Sequence, residues 1–144
     1  MEIPKIFESE YRFCLLLWAH EPIKSGELVK LCRERLDWKP STTYTVIKRL
    51  SDRGVLLNQD SLVFSLVSKA QVQTAQLNEL LDKTFEGSLP DFVAAFTKSR
   101  KPSSVKEIEA VQQLLEAYRS DLEIEKVHKM VYGYWEESKN DTPV

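Results

Sequence analysis

The fold class predicted for this 144-residue chain is mainly α with a small β element, an α+β arrangement. Three observations predict it. Apolar residues recur at helical spacing through most of the chain. At Gly54 that period gives way to two short β-rich runs within VLLNQDSLVFSLVS. After Ser68 the helical period returns, and breaks at EGSLPD and SRKPSS divide it into further helices.

Taken in order, Ser9 is placed to cap a first helix carrying Phe13, Leu16, Leu17 and His20, with Trp18 beside them, and Pro22 ends it. Ser25 opens a second helix with Leu28, Val29, Leu31, Cys32 and Leu36 at helical spacing. DWKP is the turn, Ser41 the expected cap of a third helix, and Gly54 its C-terminal stop. The β runs around NQDS read as a hairpin. Ser68 with Gln71 resembles a capping box for a helix bearing Val72, Leu77, Leu80, Leu81 and Phe85. A short apolar helix covers Leu89 to Phe96, including Phe92 and Val93. Ser104 with Glu107 forms another capping box, ahead of a stripe of Ile108, Val111, Leu114, Leu115 and Tyr118 that continues through Leu122, Ile124, Val127, Val131 and Tyr134.

Three helices and then a hairpin, with a short turn between the second and third, is the order of a winged helix-turn-helix. In that arrangement the third helix enters the DNA major groove. The later helices have narrow apolar stripes and too little material to close a core alone, so a second copy is the expected cover. The predicted organisation is a DNA-binding domain over 1–68, a helical dimerisation domain over 69–122 and a helical extension over 123–144.

The third helix, in STTYTVIKRLSDRGVL, carries the functional signal. At about 100° per residue, Val46, Ile47 and Leu50 cluster around Thr43 and form the packing side. Opposite lie Ser41, Thr45, Lys48 and Asp52, flanked by Thr42, Tyr44 and Arg49. Hydroxyls bond phosphates or base edges with little steric demand, and arginine or lysine adds charge and reads guanine. Asp52, in the last turn, is expected to point away from a duplex. The candidate DNA-binding set is Ser41, Thr42, Tyr44, Thr45, Lys48 and Arg49, with Ser25 and Lys39 at the neighbouring helix starts. The alternative is an ordinary solvated face.

Charge is uneven. Lys24 to Arg53 holds eight Lys/Arg against four acids, a net of +4, whereas Ser104 to Val144 holds five against nine, a net of −4, in a chain of overall charge −2. A basic first half joined to an acidic second half fits a polyanion-binding module attached to something else. Cys14 and Cys32 are too few and too far apart for a disulfide framework or zinc site and read as buried thiols. His20 and His128 have no partner at ligand spacing, and four scattered glycines make no phosphate loop. No enzyme, metal or cofactor is expected. MEIPKIFESE lacks a basic-then-apolar leader and FCLLLWA is far shorter than a membrane span, so the expectation is a cytoplasmic protein without membrane insertion.

LLLWAHEPIKSGELVKL, DWKPSTTYTVIKRLSDRGVL and FEGSLPDFVAAFTKS resemble the penicillinase and methicillinase repressor family (BlaI/MecI/CopY). Its pattern of Leu-Trp in the first helix, Trp before the recognition helix and T-x-x-T-x-x-x-R-L-x-x-x-G maps onto Leu17, Trp18, Trp38, Thr42, Thr45, Arg49, Leu50 and Gly54, the last less strictly. The resemblance spans roughly residues 8 to 118. It implies a homodimeric repressor in which each winged helix reads half of a palindromic double-stranded operator. The dimer interface would be built from Leu77, Leu80, Leu81, Phe85, Leu89, Phe92, Val93, Phe96, Ile108, Val111, Leu114 and Leu115. The β-lactam branch is derepressed when a membrane-sensor-linked protease cuts an Asn-Phe bond; the matching bond is Ala95–Phe96, with alanine in place of asparagine. The copper branch uses a C-terminal Cys-x-Cys pair, which this chain lacks because no cysteine follows Cys32.

Two departures stand out. From Gly54 to Ser68 there is no lysine or arginine, although family wings carry basic residues. The segment after Tyr118 is acidic, aromatic and amphipathic, a place for further dimer contact, a regulatory partner or a small ligand. The uncharged wing also motivates an alternative function: a winged-helix protein-interaction module that has lost specific DNA binding.

Overall fold

The computed structural model describes residues 2–102 and 104–140, with side chains through Lys126. The predicted continuation of the last stripe through Val127, Val131 and Tyr134 lies outside the described side chains. In chain order the elements are α1 (Glu8–His20), β1 (Ile23–Lys24), α2 (Ser25–Leu36), α3 (Pro40–Asp52), β2 (Leu56–Gln59), β3 (Leu62–Ser65), α4 (Lys69–Phe85), α5 (Leu89–Ser99) and α6 (Val105–Asn140).

Two helix starts differ from expectation. α1 begins at Glu8, so Ser9 is not its cap; Glu10 reaches back to accept the Phe7 N–H at 2.9 Å, the reciprocal half of a capping box. α3 begins at Pro40 with Lys39 in the cap position, which moves Ser41 into the first turn. Proline fixes φ for the helix and lacks the N–H that a cap would satisfy, so it takes the first position itself. The predicted box at Ser68 forms in full: Ser68 Oγ accepts from Gln71 N at 3.1 Å and Gln71 Oε1 accepts from Ser68 N at 2.9 Å. At the start of α6, Ser104 Oγ accepts from Glu107 N at 3.1 Å.

β2 and β3 form the expected hairpin, closed by Asp60 and Ser61, both left-handed (φ 53° and 64°). Two positive φ values match the right-handed twist of the strands, and Asp tolerates the left-handed region. β1 is an addition to the predicted elements. Ile23 pairs with Val63 and Lys24 with Leu62, giving an antiparallel sheet in the order β1-β3-β2.

The core lies between α1, α2, α3 and the inner face of the sheet. Phe13, Leu17, Leu28, Leu50, Leu56 and Val63 are fully buried, joined by Cys14, Cys32, Val46 and Ile47. Burying a large aliphatic or aromatic side chain is worth about 1.5–3 kcal/mol each, which makes this cluster the principal source of stability. Trp18 Nε1 donates to Val67 O at 2.9 Å, fastening the chain that leaves the wing to α1. Glu21 accepts from Ser65 N (2.8 Å) and Ser65 Oγ (2.9 Å), fixing the same, C-terminal end of β3 to the end of α1.

The chain divides into two compact units, Met1–Leu89 and Pro90–Val144. α4 therefore groups with the winged elements, where the sequence places a boundary after Ser68. The anchor is Val72, 2% exposed and part of the core cluster. The second unit contains α5 beyond Leu89 and all of α6. Within it Phe92 and Phe96 are stacked at 6.3 Å, and Arg100 lies over the Phe96 ring.

Candidate nucleic-acid interface

α3 separates its side chains as the helical period requires. Thr43, Val46, Ile47 and Leu50 are buried, while Ser41, Thr42, Tyr44, Thr45, Lys48, Arg49 and Asp52 are exposed. One continuous surface on α3 thus brings together the six predicted readers, with Lys39 exposed just before it. Ser25 does not join the exposed set. It is buried at the start of α2, and its N–H donates to Ser61 O at 2.8 Å, tying α2 to the hairpin turn.

The rigidity of this surface comes from beneath it. Trp38 stacks nearly parallel on Phe13 at 6.0 Å, so the turn before α3 is set against α1. Asp37, in the left-handed conformation, closes α2 as its N–H bonds Cys32 O. The Thr43 hydroxyl is fully enclosed beside the Cys32 thiol. Burial pushes that thiol up from its ordinary value, with the Thr43 hydroxyl pulling against the shift. Burial also pushes Cys14 up to about 12, assisted by the negative charge of Glu10. Both cysteines are free, buried and neutral at physiological pH.

Chemistry differs along the face. Thr45 Oγ1 donates to Ser41 O at 2.8 Å, so toward solvent it offers lone pairs and a methyl group rather than a free donor. Such a group accepts from a base-edge amine or packs on a thymine methyl. Lys48 and Arg49 give this face its positive charge, the chemistry that suits phosphate or guanine. Tyr44, 47% exposed, adds an aromatic ring with a hydroxyl.

Arg53 has a different role from the one its charge implies. Its guanidinium pairs with the buried Glu10 carboxylate, donates to Lys5 O at 2.8 Å and lies over the Phe7 ring. It clasps the N-terminal arm to the end of α3 and is not part of the exposed cationic face. Sequence reasoning missed this because Glu10 lies 43 residues away; the one available signal is an acid on the apolar side of α1, three residues before Phe13.

The wing offers no cation. β2, β3 and their turn carry Leu57, Gln59, Leu62 and Phe64 on one face, with Asp60 at the tip and Lys24 of β1 beside Leu62. Leu57 and Leu62 are both partly exposed there.

Every predicted dimer residue has exposed surface. On α4, Leu77 and Leu80 are exposed and Leu81 and Phe85 half-buried; Leu89 at the end of that unit is exposed. In the second unit, Val93, Phe96, Ile108, Val111, Leu114 and Leu115 are exposed and Phe92 is half-buried. The Ala95–Phe96 bond lies inside α5. Among the described residues no group of acids, histidines and cysteines has metal-binding geometry, and no helix is long and apolar enough to cross a membrane.

A winged helix-turn-helix with a hydroxyl-rich, cationic third helix defines the class: a transcriptional regulator of the DNA-binding type. The penicillinase repressor family model matches residues 6–117, and the chain belongs to that family, whose members are transcriptional repressors and not enzymes. It is 24% identical to the penicillinase repressor of Bacillus licheniformis over 123 residues, covering 83% of this chain and 95% of that protein. It is 24% identical to the methicillin resistance regulatory protein MecI of Staphylococcus aureus (strain Mu50 / ATCC 700699) over 115 residues, 77% of this chain and 93% of the relative. Among solved structures, the DNA-binding domain of the repressor BlaI matches with a TM-score of 0.45 at 23% identity, over 49% of this chain and 90% of that domain.

Proposed function

We propose that the protein is a cytoplasmic, homodimeric repressor that holds a palindromic double-stranded operator through α3 of each copy. The observation that carries this reading is the α3 face itself. Ser41, Thr42, Tyr44, Thr45, Lys48 and Arg49 lie on one surface, supported by a closed core and free of the acids that would repel phosphate, with Asp52 left to the last turn. The repressor names of its relatives support it. Exposed apolar residues on α4 and, separately, on α5 and α6 support dimerisation, and linking two half-site readers raises operator affinity by avidity.

With no cation on the wing, phosphate contacts are fewer and binding falls less steeply with salt than in a basic-winged relative. α3 then carries most of the contact energy. Anisotropy with the DNA upstream of the protein's own reading frame, against a scrambled duplex, tests the reading. Preferential binding that is lost in Lys48→Ala/Arg49→Ala is expected. Equal affinity for both duplexes, or binding undiminished in that variant, overturns it.

The uncharged wing favours one second reading, a winged-helix interaction module without specific DNA binding. Tight dimerisation with DNA affinity no better than about 10⁻⁴ to 10⁻⁶ M identifies that case. Induction separates in the same way. A protease cutting at Ala95–Phe96 must first unwind α5, and the cut would disconnect the winged units from α6. Detecting the shortened chain in induced cells supports that route; an intact chain points to a ligand or partner acting on the segment after Tyr118.

A further inference from the structure

We propose that the N-terminal arm, residues 2–7, is a positioning device that braces α4 against the end of α3 and so sets the half-site spacing a dimer accepts. The inference rests on the homodimer reading above and gives a role to a segment that the reading leaves unused. α4 has 17 residues, a length of about 25 Å at ~1.5 Å per residue, and leads toward the second unit. Its ties to α1 and the wing lie at its base. Trp18 holds Val67 O, the Ser68 capping box starts the helix, Val72 is buried in the core, and Gln73 Nε2 donates to the Tyr11 hydroxyl at 3.4 Å. A rod held only there can lean. A tilt of about 8° moves its far end by about 3.5 Å, roughly the rise of one base pair.

The arm supplies support further along the helix. Ile6 is buried in the same core cluster as Val72, and half-buried Ile3 packs against that cluster. Ile3 also lines a cleft with Ala70, Thr74, Ala75 and Asn78, so it lies beside two turns of α4. A second cleft, of about 550 Å³, has Lys5 of the arm, Arg53, and Ala75 and Glu79 of α4 in its walls. The charges there are opposite: Lys83 first, and then Lys5, hold the Glu79 carboxyl below its ordinary range.

The arm is tied in turn to α3. Arg53, the residue that ends α3, donates to Lys5 O at 2.8 Å, pairs with the buried Glu10 carboxylate and lies over the Phe7 ring. Lys5 Nζ sits 5.2 Å from the centre of the same ring. The end of α3, the arm and α4 therefore form a closed triangle, and α4 cannot lean without breaking one of its sides. Spacing is where that stiffness is read. One extra base pair between half-sites separates them by about 3.4 Å more and turns one by about 35° relative to the other. Firmly held readers cannot follow the change, and simultaneous engagement is lost. Readers on leaning α4 helices can.

Removing residues 2–5 from the full chain tests this, with Ile3→Ser as a milder second variant; both keep Ile6 and the Arg53–Glu10 pair. Affinity is measured for the upstream duplex, for copies with its half-sites one base pair closer or further apart, and for a single half-site. The unchanged protein is expected to prefer the native spacing by about ten-fold and the truncated chain by about two-fold, with equal affinity for the single half-site. A preference undiminished in either folded variant overturns the brace and leaves the homodimer reading standing. Half-site affinity that falls as far as operator affinity also overturns it, because the arm then supports α3 itself and not the direction of α4. An unchanged protein that binds every spacing alike overturns the homodimer reading and the brace together.

Discussion

Ten side chains between Phe13 and Val63 are almost wholly enclosed, among them Phe13, Leu17, Leu28, Leu50 and Leu56. In α5 no residue is buried, and every described side chain of α6 is exposed, although leucine, isoleucine and valine recur along both. The two regions have similar apolar content and opposite uses for it. Helices and a sheet that meet at angles enclose their apolar faces within one chain. A lone long helix cannot, and a contiguous exposed apolar surface of this kind marks an interaction site. The first region holds α3 still; in the proposed homodimer the second provides the surface that brings two such helices together.

The largest effects should break the first region alone. Leu17→Ala or Leu50→Ala leaves a cavity in the core and is expected to cost about 3–5 kcal/mol in urea unfolding. Leu115→Ala, on the exposed apolar stripe of α6, is expected to leave unfolding of the winged unit nearly unchanged and to shift the monomer–dimer midpoint of the proposed homodimer to higher concentration. Equal destabilisation by both substitutions in dilute, monomeric protein would erase the contrast between the regions.

A smaller loss is expected from Glu10→Gln, which leaves the Arg53 guanidinium without its carboxylate. The Arg53 side chain is 30% exposed, so water partly replaces the lost partner, and about 1–3 kcal/mol is expected in the same unfolding assay. Because Arg53 faces inward, Arg53→Ala should lower stability without changing the salt dependence of DNA binding.

How far the sequence revealed these roles depends on the range of the interactions involved. The split of α3 into Thr43, Val46, Ile47 and Leu50 beneath and the hydroxyl and cationic residues above follows from local periodicity, and the structure reproduces it residue for residue. The hairpin and the Ser68 capping box are equally local. β1 has only two residues, too few for any pattern, and exists because Ile23 and Lys24 pair across to β3. The Arg53–Glu10 clasp joins residues 43 apart, from the end of α3 to the start of α1, and the docking of α4 rests on one buried valine, Val72. Neither leaves a periodic trace. The caps expected at Ser9 and Ser41 yielded to a reciprocal glutamate and a proline, which compete for the same positions.

The last effect is absent at neutral pH and appears only in alkaline solution. Burial holds the Cys14 thiol up to about 12 in the folded chain, against about 9 when exposed. The folded state therefore keeps its proton more tightly than the unfolded state, so stability present below about pH 9 is lost as pH rises toward 12. Cys14→Ala should flatten that part of the pH–stability curve, as followed by thermal unfolding at successive pH values.

The central claim is that α3, and not the wing, supplies the contacts to DNA. Its most direct test is the slope of log affinity against log salt for the upstream duplex, comparing the unchanged protein with Lys48→Ala and Arg49→Ala. Each variant is expected to bind more weakly, and removing one phosphate contact should lower the slope by about one per copy. Slopes and affinities identical to those of the unchanged protein would contradict the account.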